Sequence, residues 1–335
     1  MPYPKIELHV HLEATVAPGT LLEIAKRNDY ALPCETEAEL AELYRYRDFP
    51  HFIEVWILTT NALRRYDDFR QVALDYAEQA AAHGAVYVEG IFSPIERAWR
   101  GVDWDEIFAG YCDGAQEGHE RFGVEMRLTP DITRSAPLDG AFEAVRYSAK
   151  YADRGIVGIG LGGEEHLYPG AGPFAPAFRE AKESGLASVP HAGEVVGAES
   201  VRGALEDLDA DRIRHGIRAL EDPGLVRELA DRQLVLDVCP ISNLRTGVVR
   251  TLEDHPLPQL VAAGVRCSIS TDDPQMFDTD LTRDYEAAHV LGLHPRDAYA
   301  AGLAGALCDE DTKARLTAVG ASYDWDAVSP LPSSA

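Results

Sequence analysis

Eight short runs rich in β-branched and aliphatic residues recur along this chain, separated by longer stretches whose apolar residues fall three and four positions apart. Such alternation marks repeated βα units, in which each crossover returns the chain parallel to the preceding strand. The runs lie at 6–10, 86–92, 125–128, 157–161, 188–191, 212–215, 234–238 and 265–270. Eight parallel strands can close on themselves, so the expected fold is α/β, a single (β/α)8 TIM barrel. Amphipathic stretches at 103–121, 172–184, 222–231 and 281–290 supply outer helices.

The first two runs are far apart, and the gap holds an aromatic-rich segment, 44–56, followed by a helical pattern to residue 82. An inserted helical lid is expected there. Two more helical patterns follow Pro295, and 330–335 reads as a frayed tail. A chain of 335 residues could form two average domains. No linker rich in Gly, Ser or Pro divides it, so one hydrolase-sized barrel domain over 1–335 is expected.

Charge and cysteine content narrow the partners. Acidic residues outnumber basic ones 56 to 31, a formal charge of -25. Such a surface repels phosphate backbones and anionic lipid, which argues against a nucleic-acid polymer or a membrane as partner but not against a neutral nucleoside. The five cysteines are scattered, with no CxxC pair, which disfavours a disulfide framework. MPYPKIELHV lacks the basic and apolar order of a leader peptide, and no stretch approaches 18 apolar residues. The cytoplasm is the expected location. Whether a homo-oligomer forms stays open.

In a (β/α)8 barrel the functional side chains gather at the C-terminal ends of the strands. The first run ends in His9-Val10-His11, and the two-residue period of a strand turns both imidazoles to one side. The pair reads equally as two ligands of one metal or as a hydrogen-bonded polar patch. His191 ends the fifth run and His215 the sixth, while the eighth leads into Asp272-Asp273. Adjacent carboxylates need a cation or a proton to offset their repulsion. Three imidazoles and one carboxylate with an open position is the ligand composition of catalytic zinc.

Ordered motifs carry a resemblance to a known family: KIELHVHLEAT at 5–15, GLGGEE at 160–165, HAGE at 191–194, RIRHG at 212–216, CPISN at 239–243 and STDDP at 270–274. Over nearly its whole length the chain resembles the adenosine deaminase family of the amidohydrolase superfamily. The resemblance implies one Zn2+ per chain, held by His9, His11, His191 and Asp272. It implies that Glu194 protonates N1 of a purine, that His215 and Asp272 hold the attacking water, and that Asp273 meets N7. The backbone N–H of Gly163 would reach N3, with a side chain there obstructing the approach, and His11 and Glu13 would contact the substrate, Glu13 near its 5′ end. The implied reaction is hydrolytic deamination of a 6-aminopurine nucleoside to the 6-oxopurine and ammonia, without an organic cofactor.

One position departs from the family. Its usual members carry Asp-Gly where this chain has Glu13-Ala14, and that aspartate binds the ribose 5′-hydroxyl. Adenine deaminases resemble this chain in having Glu there, yet they carry a serine-rich motif in place of GLGGEE. A nucleoside with a bulky 5′ group, such as aminodeoxyfutalosine of the menaquinone pathway, reconciles the two. Its benzoate would need a cation, for which Arg97, Arg134 and Arg245 are candidates, and Phe49, Phe52 and Trp56 would cover the purine or pack as core. Cys239 reads as packing rather than reactive. The alternatives are an adenine deaminase acting on the free base, another amidohydrolase branch, and a non-catalytic nucleoside-binding protein. The second would need a carboxylated lysine at the fourth strand end, where this chain has Gly-Gly-Glu-Glu.

Overall fold

The computed structural model describes residues 2–168 and 170–328, so the expectation for 330–335 lies outside the described residues. Ten strand segments occur among them: β1 (Lys5–His11), β2 (Ala85–Ile91), β3 (Glu125–Leu128), β4 (Asp131–Thr133), β5 (Gly158–Gly162), β6 (Ala187–Ser188), β7 (His191–Ala192), β8 (Ile213–His215), β9 (Val235–Val238) and β10 (Arg266–Ile269). All paired segments run parallel.

Ten segments make eight staves, because two staves are broken by proline. Pro130 separates β3 from β4 and Pro190 separates β6 from β7. A proline has no N–H for the ladder and so interrupts a central strand. Their carbonyls still accept, from Gly160 N–H and Arg214 N–H respectively. The barrel closes between the last and first staves: Asp272 N–H donates to His9 C=O at 3.0 Å and His11 N–H to Asp272 C=O at 2.8 Å. The expected run at 125–128 therefore stopped half-way along its stave, and the missing half, β4, carries Asp131 to the rim.

The long β1–β2 connection is helical, as its composition suggested: Pro18–Arg27, Glu37–Leu43, Phe49–Thr60 and Tyr66–Ala82. Helix Tyr66–Ala82 lies hard against Trp104–Phe122, where a Cβ added at Gly114 would stand 2.3 Å from the Arg70 carbonyl oxygen. Only glycine permits that approach. Helices Pro223–Asp231 and Leu281–Val290 begin behind Asp222 and Asp280, whose carboxylates accept free first-turn N–H groups. Two further helices, Pro295–Gly305 and Glu310–Ser322, follow the last stave.

Inside the barrel, away from the rim, charged side chains replace part of the apolar filling. Arg212 is buried; its Nε donates to Asp237 at 2.6 Å, its Nη2 to Glu89 at 2.6 Å, and its Nη1 to the Gly305 carbonyl at 2.7 Å. Glu89 also receives Leu307 N–H and Tyr87 Oη–H, and Asp237 receives Ser268 Oγ–H. The guanidinium thus ties staves β2, β8 and β9 to the C-terminal helices. Breaking a buried pair from one side leaves unpaired charge, a cost of about 3–5 kcal/mol. Arg212→Ala should therefore lower unfolding stability by roughly 3–5 kcal/mol in urea titration, whereas Arg232→Ala on the exposed surface should leave the midpoint in place.

Candidate active site

At the C-terminal rim four side chains from three staves meet. His9 and His11 come from β1, His191 from β7, and Asp272 follows β10. His191 Nε2 lies 3.1 Å from His9 Nε2 and 3.2 Å from His11 Nε2. Asp272 Oδ1 lies 3.2 Å from His9 Nε2 and 3.3 Å from His11 Nε2.

Such a knot of nitrogens is repulsive unless something positive sits within it. His191 Nδ1 faces the Leu161 carbonyl at 3.2 Å and Asp131 Oδ2 at 3.3 Å, both acceptors, so Nδ1 carries the proton and Nε2 presents a lone pair. Burial keeps the His9 imidazole far below its ordinary pKa, hence neutral. Donors about 2.0–2.2 Å from a tetrahedral ion stand roughly 3.3–3.6 Å apart, close to the separations here. The donor set and its spacing fit a zinc-like ion. His11 shows how strongly this spot draws positive charge: burial opposes its imidazolium, yet Asp273, Asp272 and Asp131 lift its pKa to about 9.

The backbone at the rim is specialised. His215 and Asp272 adopt left-handed conformations, φ 60° and 66°, uncommon for residues with a Cβ. Asp272 is further held by Ser242 Oγ–H, which donates to Oδ2 at 2.6 Å. Although burial works against its charge, His9 and His11 keep the Asp272 carboxyl well below the usual range.

Glu194 and His215 stand beside the cluster, with His215 Nε2 3.6 Å from Glu194 Oε2 and 3.8 Å from Asp272 Oδ2. Burial, then the charges of Asp272, Glu165 and Asp273, push the Glu194 carboxyl well above its ordinary pKa. Glu165 pins the segment that bears Glu194, accepting Gly193 N–H at 2.7 Å, Val195 N–H at 2.8 Å and Val196 N–H at 3.0 Å. The Ser200 hydroxyl, which also donates to it, the Val195 and Val196 N–H groups and the charge of Arg134 outweigh its burial and keep Glu165 ionised. Gly193 sits at φ 66°, where a Cβ would stand 2.4 Å from Val201 Cγ2.

Asp273 borders the same pocket, receiving Trp56 Nε1–H at 2.8 Å, and burial and the charge of Asp272 push its carboxyl well above the ordinary range. Phe49, Phe52, Ile53 and Trp56 of the inserted helix Phe49–Thr60 form the apolar wall opposite. Phe52 and Trp56 also pack with Met276 and Phe277, so they serve as wall and as core together. Gly163 lies on the rim at φ 99°. A Cβ added there would meet nothing nearer than 3.7 Å, so the requirement for glycine is conformational, not a steric obstruction by the protein.

Glu13 stands one layer back from the pocket wall. Its Oε1 accepts Ser93 N–H at 2.7 Å and lies 3.7 Å from Arg97 Nη2, while Oε2 has no partner. Of the three arginines singled out in the sequence, Arg97 is buried beneath Trp56 and donates to Asn61 Oδ1. Arg134 is spent on the Tyr168 and His191 carbonyls, and Arg245 faces an outer groove bounded by Tyr46 and Phe277. Cys239 is buried, 3.6 Å from His9 Nδ1, with its thiol pushed well up by burial.

Three contributors escaped the sequence reading. Asp131 orients His191 and pairs with Arg214, and its signal was the polar residue resuming an extended run after Pro130. Glu165 was visible only as the last letter of GLGGEE. Asn243, buried 3.3 Å from His215 Nδ1, lay within CPISN without a distinguishing mark.

The family model described as adenosine deaminase matches residues 4–319. The aminodeoxyfutalosine deaminase of Acidothermus cellulolyticus is 54% identical over 329 residues, covering 96% of this chain and 92% of that protein. The crystal structure of adenine deaminase from Arthrobacter aurescens superposes with a TM-score of 0.89 at 30% identity, covering 95% of this chain and 98% of that one. An amidohydrolase of B. ambifaria with bound Zn gives a TM-score of 0.87 at 26% identity, covering 97% and 91%.

Because His11 holds a proton up to about pH 9 in the metal-free protein, an ion must displace that proton at neutral pH. Zinc affinity should then rise by roughly tenfold per pH unit between about 6 and 9, as protons and metal compete for one lone pair. Competition with a chromophoric chelator reads this directly, and a flat profile would remove His11 from the ligand set.

Proposed function

Since the chain belongs to the adenosine deaminase family, we propose that it removes by hydrolysis the 6-amino group of a purine nucleoside bearing a bulky 5′ substituent, of the aminodeoxyfutalosine kind, giving the 6-oxopurine and ammonia. It is a hydrolase acting on a C–N bond. What carries the reading is one juxtaposition: a four-donor cluster facing a buried carboxyl, Glu194, whose surroundings keep it protonated. The 54% identity to an aminodeoxyfutalosine deaminase supports the modified nucleoside over free adenine.

In this reading His9, His11, His191 and Asp272 hold one Zn2+. When bound, the ion supplies Lewis-acid activation of water, bringing its pKa toward about 7. Glu194 delivers a proton to N1, which withdraws electron density from C6 at the moment oxygen attacks it. A carboxyl ionised at neutral pH could not do this, so the burial and like charges around Glu194 are what the step requires. His215 stands over the same carbon and meets the incoming oxygen. That oxygen remains on C6; one water proton leaves on ammonia, and the other restores the proton given to N1.

Asp273 and the Gly163 N–H bracket the purine at N7 and N3, with the Trp56 indole fixing the orientation of the Asp273 carboxyl. In this reading His11 borders the pocket on the side of the sugar, whereas Glu13, buried behind the pocket wall on Ser93, meets no hydroxyl there directly. The aromatic wall on helix Phe49–Thr60 keeps bulk water from the reacting carbon. No helix among the described residues is long and apolar enough to cross a membrane, and all five cysteines are unpaired, as a reducing cytoplasm would leave them.

Glu194→Gln keeps the shape and a hydrogen-bond donor but has no proton to give. Its kcat should fall by about 10²- to 10⁴-fold with zinc content unchanged, and normal turnover would withdraw Glu194 from the reaction. Among aminodeoxyfutalosine, adenosine and adenine, the first should show the highest kcat/KM by loss of the adenine absorbance. Adenine ranking first would overturn the nucleoside assignment.

A further inference from the structure

His215 is the last link of a buried hydrogen-bond chain that starts from a backbone group. Leu257 N–H points at His255 Nδ1 at 3.0 Å, His255 Nε2 lies 3.2 Å from Asn243 Oδ1, and Asn243 Nδ2 lies 3.3 Å from His215 Nδ1. Exposure is 0% for His255 and Asn243 and 1% for His215, so water does not compete for any of these bonds.

The direction of each bond follows from the first. A backbone N–H can only donate, so His255 Nδ1 must accept. Burial holds the His255 pKa at about 4, leaving the ring neutral with its one proton on Nε2. That proton goes to the Asn243 carbonyl oxygen, which turns the Asn243 NH2 toward His215. His215 Nδ1 must then accept, and its single proton sits on Nε2, the nitrogen that faces Glu194 and Asp272. The chain lies outside the pocket wall, since neither Asn243 nor His255 borders it.

We propose that the Leu257–His255–Asn243 chain is a positioning device that locks His215 in its Nε2–H form, making it a fixed hydrogen-bond donor to the oxygen arriving at C6. This rests on the deaminase reading for the identity of that oxygen, while the direction of the chain stands on geometry alone. Locked in this way, His215 has no lone pair on Nε2, so it neither accepts the water's proton in the resting site nor joins the metal through that nitrogen. His215 also contributes to two smaller donor groups, one with His9 and Cys239 and one with Glu194 and Asp272. The lock removes it from both and leaves the set His9, His11, His191 and Asp272.

Asn243→Asp tests the lock with almost no change of shape, because it replaces the donor facing His215 by an acceptor. In the zinc-loaded enzyme labelled with ¹⁵N-histidine, the His215 signal, assigned by its loss in His215→Gln, should read Nε2–H in the native protein and Nδ1–H in Asn243→Asp. Losing a preorganised donor costs about 10²- to 10³-fold, so kcat should fall by that order while KM moves less than about threefold. Should Asn243→Asp not fold, His255 decides: His255→Leu should mix the two His215 forms and lower kcat, and His255→Gln, which can both accept and donate, should restore most of each. A native His215 protonated on Nδ1, or variants that leave its form and kcat unchanged, would overturn the proposal. If the native enzyme turned over no purine at all yet showed the same ¹⁵N pattern, the deaminase reading would fail and the lock would stand.

Discussion

The rim of this barrel is organised by the convergence of three imidazole rings on a single ionised carboxylate. His9, His11 and His191 crowd their Nε2 atoms together at a place where backbone hydrogen bonds between His9, His11 and Asp272 also close the last stave onto the first. Closure and donor cluster are therefore one feature. The strand that supplies two imidazoles is bonded, residue to residue, to the segment that supplies the carboxylate, so the donors cannot separate without opening the barrel.

Around that cluster the protein sorts five carboxyls by environment. Asp131 is held ionised: burial opposes its charge, but Arg214 and His191 outweigh it, and Glu165 is held ionised by the Ser200 hydroxyl, the Val195 and Val196 N–H groups and Arg134. Asp272 is ionised by the imidazoles it faces. Glu194, which lacks such partners, and Asp273, for which burial and the charge of Asp272 outweigh the Trp56 indole N–H and His11, are pushed toward their protonated forms. The same chemical group thus occurs in two protonation states within one pocket, a division that acid catalysis at neutral pH depends on. Glu165 contributes twice, fixing the loop that carries Glu194 and raising the pKa of the group it positions.

Much of this was legible in the amino-acid order because strands and barrels have fixed periods. The HxH spacing put His9 and His11 on one side, and the position of His191, His215 and Asp272 at the ends of the fifth, sixth and eighth runs put them on one rim. Those inferences need only a two-residue repeat and a closed parallel sheet. The sequence reading faltered where a stave is interrupted. Pro130 ended the expected third strand, so Asp131 was not seen, although its carboxylate faces the His191 ring.

The alternation of strand and helix, the rim residues and the donor types follow from amino-acid order, because all of these are local or periodic properties of the chain. The folding of the chain in space settled which oxygens and nitrogens face one another. It set Glu13 behind the wall on Ser93, buried Arg97 and Arg134 away from any arriving anion, and aligned Leu257, His255 and Asn243 behind His215. Apart from the local bond from Leu257 N–H to His255, such contacts join residues 12 to 80 positions apart, and no spacing rule reaches across separate staves; proton placement follows from hydrogen-bond direction, which exists only once the chain is folded.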